Sequence, residues 1–272
     1  EGTLIPQDWV KAAFNAFEVL GIAPSGEKVL GFDVADGGKD KNAVAGGQGV
    51  EISICEEWSG KGSDIFASTE RVFTIAQEHG IRRVRYDGDG LGAGVKGDSR
   101  QINQRRHREG KPAISFEIYR GSDEVMDPDG EDVPGRKNID YFANRKAQEW
   151  WRLRTRFLKT WRWVTSVQKN KIDPNHPVLR CEPHEIISIR TAGIADVQQL
   201  AAELSQPTFK SREDGKIIVD KAPGDSKTER MPSPNKADAV VIRFAMGVTP
   251  TMPKITTGLL NRAKAFKRPG YR

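Results

Sequence analysis

The sequence predicts a mixed α/β domain, and three observations lead to that prediction. Three short apolar runs follow one another early in the chain, separated by tight glycine-containing turns, which is typical of antiparallel strands. Beyond them, segments with helical spacing alternate with further apolar runs, which favours parallel strands joined by helices. The chain has 272 residues, a size that suits one globular domain. We therefore expect a central mixed sheet, with three antiparallel strands and then parallel ones, flanked by helices.

The elements follow from these patterns in chain order. Residues 1–26 contain a short helical pattern and then a Pro-Ser-Gly break, so we interpret them as a linker leading into the domain. The turn formers Asp214 and Gly215 predict a hairpin at 208–221. Strands are expected at 28–34, 42–49, 51–58, 82–87 and 114–119, and helices at 6–17, 64–79, 139–164, 195–204 and from 233 onward.

Composition indicates the compartment and the class of partner that we expect for this protein. The formal net charge of +6 is a weak indication of a nucleic-acid partner, strengthened by clusters of Arg and Lys. The two cysteines are too few for a disulfide framework, and no apolar run is long enough to cross a bilayer. We expect a soluble intracellular protein without a membrane partner. Because the chain begins with Glu rather than Met, we favour an excised fragment, with a domain at 27–248 and a basic tail at 249–272.

The long helix predicted at 139–164 carries a stripe of cations opposite its apolar stripe. The acidic, turn-rich segment 121–138 before it predicts a mobile surface loop. One hypothesis is that the cations contact DNA phosphates, and a solvated helix surface is a nearly equal alternative. The cations concerned are Arg145, Arg152, Arg156 and Lys159.

Three aspartates stand where a buried charge would need a partner. Asp33 ends the run VLGFDVA, Asp87 ends the run RRVRYD, and Asp238 lies on the inward stripe of the helix in SPNKADAVVIRF. A buried carboxylate without a partner is costly, and a divalent cation is a natural partner. Hydrolysis of phosphodiesters by two metals needs carboxylates that hold two ions about 3.5–4 Å apart. We therefore predict these three acids as metal-binding catalytic residues, although each alone is equally typical of a turn or a cap.

Three further aspartates are possible auxiliary acids. Asp36 and Asp40 lie in the turn-forming run DGGKDK, and Asp89 points the other way from Asp87. Cys181, His184 and His176 invite a zinc hypothesis, but the paired short spacings of structural zinc sites are missing.

Four segments, in order, resemble the nuclease domain of the large terminase subunit of tailed bacteriophages. They are GFDVADGGKDKNAV, YDGDGLGAGV, NRKAQEWWRLR and SPNKADAVV, and the resemblance spans most of 29–245. It implies an RNase H-like fold and endonucleolytic cutting of concatemeric viral DNA during genome packaging, with two Mg²⁺ or Mn²⁺ ions. Carried over residue by residue, the metal ligands would be Asp33, Asp87 and Asp238.

The resemblance also implies partners. These are double-stranded DNA, the terminase small subunit, the portal protein and an N-terminal ATPase domain, all in the cytoplasm of the host cell. The chain contains no G-x-x-x-x-G-K-[ST] motif, so the packaging motor is not in this sequence. Two alternatives stay open: a junction resolvase or integrase-like nuclease of the same fold, and a catalytically inert DNA-binding or docking module.

Overall fold

A five-stranded mixed sheet lies at the centre of the domain. The computed structural model describes residues 2–35, 40–61, 64–169, 181–224 and 229–245. The strands of this sheet are β2 (Lys28–Asp33), β3 (Lys41–Gln48), β5 (Ile54–Ser59), β6 (Arg83–Asp87) and β7 (Ser115–Tyr119), in the order β5-β3-β2-β6-β7. Strands β2, β3 and β5 are antiparallel, whereas β6 and β7 run parallel to β2. The predicted mixed sheet is confirmed.

One face of the sheet is covered by two helices, α3 (Ile65–Glu78) and α4 (Gly92–Arg108). The Asp64 side chain accepts a hydrogen bond of 2.8 Å from the Ala67 amide and caps the start of α3. Buried apolar side chains of both helices pack with Phe32 and Val84 of the sheet. Because residues alternate between the two faces of a strand, this packing turns Asp33 and Asp87 to the opposite face.

The opposite face is covered by helix α8 (Asn235–Phe244). Gly31 permits its close approach, since a Cβ at that position would stand 2.1 Å from the Ala239 carbonyl oxygen. The fully buried Arg243 then donates hydrogen bonds to the backbone carbonyls of Val29, Gly49 and Glu51. Helix α8 is thus fixed to the sheet by backbone contacts that tolerate little displacement.

A third layer packs on the outer side of α8. It consists of α1 (Gln7–Ala13), α2 (Ala16–Leu20), α6 (Arg145–Gln168) and α7 (Val197–Ser205). A smaller sheet of β1 (Gly2–Thr3), β9 (Thr208–Ser211) and β10 (Ile217–Asp220) borders it, which agrees with the expected hairpin. None of the helices in the described part of the chain is long and apolar enough to cross a membrane.

The first 26 residues differ from the expected linker. Leu4, Ile5 and Val10 are fully buried in the same core as Trp150 and Phe157 of α6. Residues 2–3 also pair with β9 as an edge strand. The apolar side chains of this segment are buried within the domain, which a linker would not require.

Two further elements differ from the prediction. The expected strand at 51–58 is split, because β4 (Glu51–Ile52) pairs with β8 (Ser188–Ile189) rather than with the central sheet. The expected helix at 139–164 is preceded by a separate turn, α5 (Asn138–Tyr141). A new helix, α6, begins after Asn144, whose side chain accepts a hydrogen bond from the Ala147 amide.

The acidic segment 121–138 is packed against α6 instead of forming a free surface loop. The amide of Met126 donates a hydrogen bond of 2.7 Å to the side chain of Gln148, and Gln148 donates one of 2.7 Å to Asp132. Asn138 also bonds within the segment. A charged contact adds to these, because Arg152 of α6 donates a hydrogen bond of 2.8 Å to Asp132, whereas most other acids of the segment face solvent as expected.

Candidate active site

The ends of strands β2 and β6 bring Asp33 and Asp87 side by side. Phe32 lies opposite Tyr86 in the parallel register, so the next residue on each strand is an aspartate. Both side chains point to the face that α8 covers, as Gly31 and Arg85 do. The two carboxylates therefore share one edge and one side of the sheet.

Helix α8 carries Asp238 to the same edge. Its start is fixed by Glu203 of α7, whose carboxylate accepts hydrogen bonds of 2.7 and 3.2 Å from the amides of Lys236 and Ala237. Asp238 is only 6% exposed, and the fully buried Trp150 donates a hydrogen bond to its carboxylate. A charged side chain is thereby held inside the domain, where it needs a cation.

Two lysines that the sequence analysis did not single out face this cluster. The ammonium group of Lys221 forms an ion pair and a hydrogen bond with the Asp238 carboxylate. Lys146 of α6 is half-buried, and burial and the nearby Lys221 lower its pKa, whereas Asp238 opposes that effect. Lys221 directly follows β10, and no sequence motif marked it, because only the fold brings the hairpin to α8.

Burial raises the proton affinity of all three carboxyl groups, and repulsion from neighbouring carboxylates adds to this effect at Asp33 and Asp87. Burial and the neighbouring Asp238 carboxylate raise the pKa of Asp33 well above its usual range. Burial, with smaller effects from Asp89 and Asp238, raises the pKa of Asp87 to about 6. Burial also raises the pKa of Asp238, although Lys221 opposes it. Such repulsion within a buried cluster is relieved by a cation between the groups.

The residues present fit a divalent ion in their chemistry. Mg²⁺ and Mn²⁺ prefer oxygen ligands, and the cluster offers three carboxylates from three separate elements. Within the described residues, no group of three or more His, Cys, Asp or Glu side chains is already arranged to hold a metal ion. Instead, Lys221 supplies the positive charge that contacts Asp238. Binding of an ion would require the Asp238 carboxylate to exchange its lysine partner for the metal.

The possible auxiliary acids occupy different positions. Asp89 accepts hydrogen bonds of 3.0 and 2.6 Å from the amide and hydroxyl of Ser122, and its own amide donates to Asp87. It therefore stabilises the turn after β6. Asp40 is exposed, although its charge contributes to the raised pKa of Asp33. Asp36 lies outside the described residues.

The four cations of α6 are engaged with neighbouring groups rather than forming a free ridge. Arg152 donates a hydrogen bond of 2.8 Å to Asp132, and Arg156 donates one of 2.7 Å to the carbonyl of His184. Lys159 forms an ion pair with Glu185. Arg145 stacks on the ring of Tyr119, 5.0 Å from its centroid, and lies near Asp123 and Glu149. Residues of segments 121–138 and 181–185 thus contact the side chains that one hypothesis assigned to phosphate binding.

The cysteine and histidine positions show no metal cluster among the residues described. Cys55 is buried in the core, and Cys181 is a free thiol near His184. His176 lies outside the described residues.

Comparison with solved structures identifies the fold. No family model and no curated protein sequence matches the chain. The nuclease domain of the large terminase subunit gp2 of bacterial virus Sf6 matches with a TM-score of 0.74 and 26% identity, covering 90% of this chain and 100% of that domain. A lysine-to-alanine mutant of that domain with manganese and beta-thujaplicinol gives a TM-score of 0.76 and 27% identity over the same shares. A mutant form with calcium gives 0.73 and 26%.

These likenesses agree with the resemblance drawn from the four motifs. They extend over 90% of the chain. The protein has an RNase H-like fold, and it is a structural relative of the nuclease domains of phage large terminase subunits.

Proposed function

We propose that this domain is a metal-dependent DNA endonuclease of the terminase type, with Asp33, Asp87 and Asp238 as its metal ligands. The observation that carries the proposal is the meeting of these three carboxyl groups at one edge of the sheet. Asp33 and Asp87 end neighbouring parallel strands, and Asp238 lies in the helix that covers them. Burial and repulsion between the carboxylates raise the pKa values of Asp33 and Asp87, and a bound cation would relieve both effects.

The chain's own residues have distinct roles in this mechanism. Two bound divalent ions would activate water and stabilise the leaving oxygen of a phosphodiester. Asp33, Asp87 and Asp238 would hold these ions through their carboxylate oxygens. Lys221 and Lys146 place positive charge beside the cluster, where a scissile phosphate would lie.

Substitution of single acids tests the proposal. We expect Asp33→Asn and Asp238→Asn to lower plasmid cutting in Mn²⁺ by more than about 100-fold, beyond the loss seen for residues that only support metal ligands. DNA binding should stay within about twofold, because it depends mainly on cations elsewhere on the surface. Asp140→Asn is the matched control, since Asp140 is an exposed aspartate that lies outside the cluster.

Unchanged cutting by either variant would contradict the assignment of that residue. The same preparations separate the two alternatives. Preference for branched over linear DNA would favour a junction resolvase. Absence of both cutting and a thermal shift in millimolar Mn²⁺ would favour an inert module.

We further propose the setting in which this activity operates. The relatives named above are domains of phage DNA-packaging subunits, so we infer concatemeric double-stranded DNA as the substrate and the host cytoplasm as the location. An ATPase domain, the small subunit and the portal protein are the partners proposed for that setting. Co-purification of the domain with each partner, expressed separately, tests this inference.

A further inference from the structure

An open basic cleft lies on the face of the sheet opposite to the carboxylates. It has a volume of about 560 Å³ and is formed between helix α4 and strands β6 and β7. No Asp or Glu lines it. Its four cationic side chains are exposed at its rim: Arg82, Lys96, Arg100 and Arg120.

These four cations lack partners within the described structure. None forms an ion pair or a side-chain hydrogen bond with a described residue, unlike the cations on the other face of the same strands. There, Arg83 and Arg85 both pair with Glu117. Exposed cations that line one cleft without an acid create a positive potential, which attracts anions.

The positions of the cations suit an extended anionic chain. Lys96 and Arg100 are four residues apart on α4, so they lie on the same side of the helix about 6 Å apart along its axis. Arg82 and Arg120 stand at opposite ends of the neighbouring strands, before β6 and after β7. The cations therefore extend along the cleft rather than meeting at one point, which is typical of a backbone-binding groove.

The floor of the cleft offers apolar and polar contacts. Phe116 and the buried Tyr86 lie there with ring centroids 6.2 Å apart. Asn103 is held in place by hydrogen bonds of 2.8 and 3.0 Å to the backbone of Ile114. These side chains form a rigid floor, so the cations at the rim supply the contacts to phosphates.

One end of the cleft lies next to Asp87, on the other face of β6. Tyr86 on its floor directly precedes Asp87, and their side chains point to opposite faces of β6. Arg120 follows Tyr119, whose carbonyl accepts a hydrogen bond of 2.6 Å from the amide of Gly88. A duplex lying across the outer strand β7 would therefore reach the acids on one side and these cations on the other.

We propose that this cleft binds the sugar-phosphate backbone of duplex DNA next to the cutting site. The inference rests on the proposed nuclease function, and it assigns a DNA-binding role to α4 and β7. The cleft grips the substrate through phosphates without reading its sequence. Salt should therefore weaken this binding.

The test measures binding of a fluorescent 30-base-pair duplex in EDTA, where no cutting occurs. The variant Arg100→Ala/Arg120→Ala should raise the dissociation constant about tenfold or more. It should also reduce the slope of log K against log salt by about 2, one for each lost phosphate contact. Arg108→Ala is the matched control, because Arg108 is an exposed arginine on the same helix but outside the cleft. Its effect should stay below twofold.

Cutting measured in Mn²⁺ separates this inference from the proposed function. With saturating DNA, the double variant should cut at a rate within about twofold of the wild type, because the cleft does not touch the reacting atoms. If the wild type fails to cut while the double variant still loses binding, the nuclease proposal fails and the cleft assignment stands. If the double variant binds DNA as the Arg108→Ala control does, the cleft assignment is overturned.

A second measurement distinguishes DNA from a free anion. Thermal shift in 10 mM inorganic phosphate should be small and the same for wild type and double variant. A phosphate-dependent shift that only the double variant loses, together with unchanged DNA binding, would assign the cleft to a small anion and overturn the DNA proposal. The Lys96→Glu variant provides an independent check, since reversing a charge at the exposed rim should weaken DNA binding more than Arg108→Ala does.

Discussion

The two faces of the central sheet carry clusters of opposite charge. On the face under α8, Asp33, Asp87 and Asp238 are buried or half-buried, and Lys221 neutralises part of their charge. On the face under α4, four cations are exposed and have no acid beside them within the described structure. Adjacent residues of β6 serve the two sides, because Tyr86 and Asp87 point in opposite directions.

The difference shows how burial determines what a charge can do. Burial raises the pKa of a carboxyl group and makes a neighbouring cation favourable, as the contact of Lys221 with Asp238 shows on the α8 face. An exposed cation keeps its solvation and costs the fold little, so the α4 face can attract a polyanion over a distance. Three predictions test this contrast, from the largest expected effect on stability to the smallest.

Substitution of Gly31 should disturb the α8 face alone. In Gly31→Ala the new methyl group would overlap the Ala239 carbonyl oxygen and the Arg243 amide nitrogen. We expect a loss of about 3 kcal/mol of unfolding free energy, the upper end for overpacked cores, measured by urea denaturation. Gly97→Ala on α4 is the control, because a Cβ there meets nothing within 4 Å. It should be neutral or slightly stabilising. Equal effects of the two variants would contradict the tight packing of α8.

Removal of Lys221 should show whether it stands in for a metal ion. Without the ammonium group, Lys221→Met leaves the Asp238 carboxylate buried without its cation. We expect the metal-free domain to lose about 2 kcal/mol, less than for a fully buried pair because Lys221 is partly exposed. Millimolar Mn²⁺ should restore more stability to this variant than to the wild type, since no lysine competes for Asp238. A smaller Mn²⁺-induced rise in Tm than in the wild type would contradict that competition.

Neutralising Asp87 should stabilise the metal-free domain. Its pKa of about 6 in the folded state exceeds the ordinary value of 3.8, so the folded protein loses stability as pH rises from about 4 through 6. In Asp87→Asn that loss is absent. We expect a gain of about 1–2 kcal/mol above pH 7, discounted for partial exposure, and none below pH 4.

Thermal unfolding across pH in EDTA measures this gain. Glu124→Gln, at an exposed carboxyl group of the acidic segment, should leave the pH profile unchanged. In Mn²⁺ the order should reverse, because only the wild type keeps all three ligands for the ion. If Asp87→Asn is less stable than the wild type at pH 8 in EDTA, the pKa of Asp87 is not raised by folding.

Local patterns in the sequence predict the elements that carry the three acids. An apolar run before Asp33 and another before Asp87 predicted two strands, and the inward stripe around Asp238 predicted a helix. Each pattern lies within one short segment, so it can be recognised without knowledge of the fold. The register that places Asp33 beside Asp87 depends on strand order, which the alternation of strands and helices indicated only in outline.

Contacts between distant segments were beyond the sequence patterns. Lys221 reaches Asp238 only because the hairpin β9–β10 folds next to α8. The cations of α6 were interpreted either as phosphate contacts or as a solvated surface. The partners of Arg152 and Lys159, Asp132 and Glu185, come from segments 121–138 and 181–185, whose positions no periodicity reveals. The apolar residues at 4–20 could equally have been a linker, and only the core shows where they pack.

Arg243 connects the helix that carries Asp238 to the strand that carries Asp33. Its guanidinium connects α8 to three backbone carbonyls of the sheet, and its own carbonyl accepts a hydrogen bond of 2.8 Å from Arg85. The two acids on β2 and α8 therefore keep a fixed separation. Asp87 precedes a turn in which Gly90 has a positive φ of 75°, and a Cβ built on Gly90 would find no atom within 4 Å. That turn is held to β7, because the Gly88 amide donates a hydrogen bond of 2.6 Å to the Tyr119 carbonyl and Asp89 accepts two hydrogen bonds from Ser122. Asp87 therefore stands on a support as fixed as the one that Arg243 gives to the other two acids.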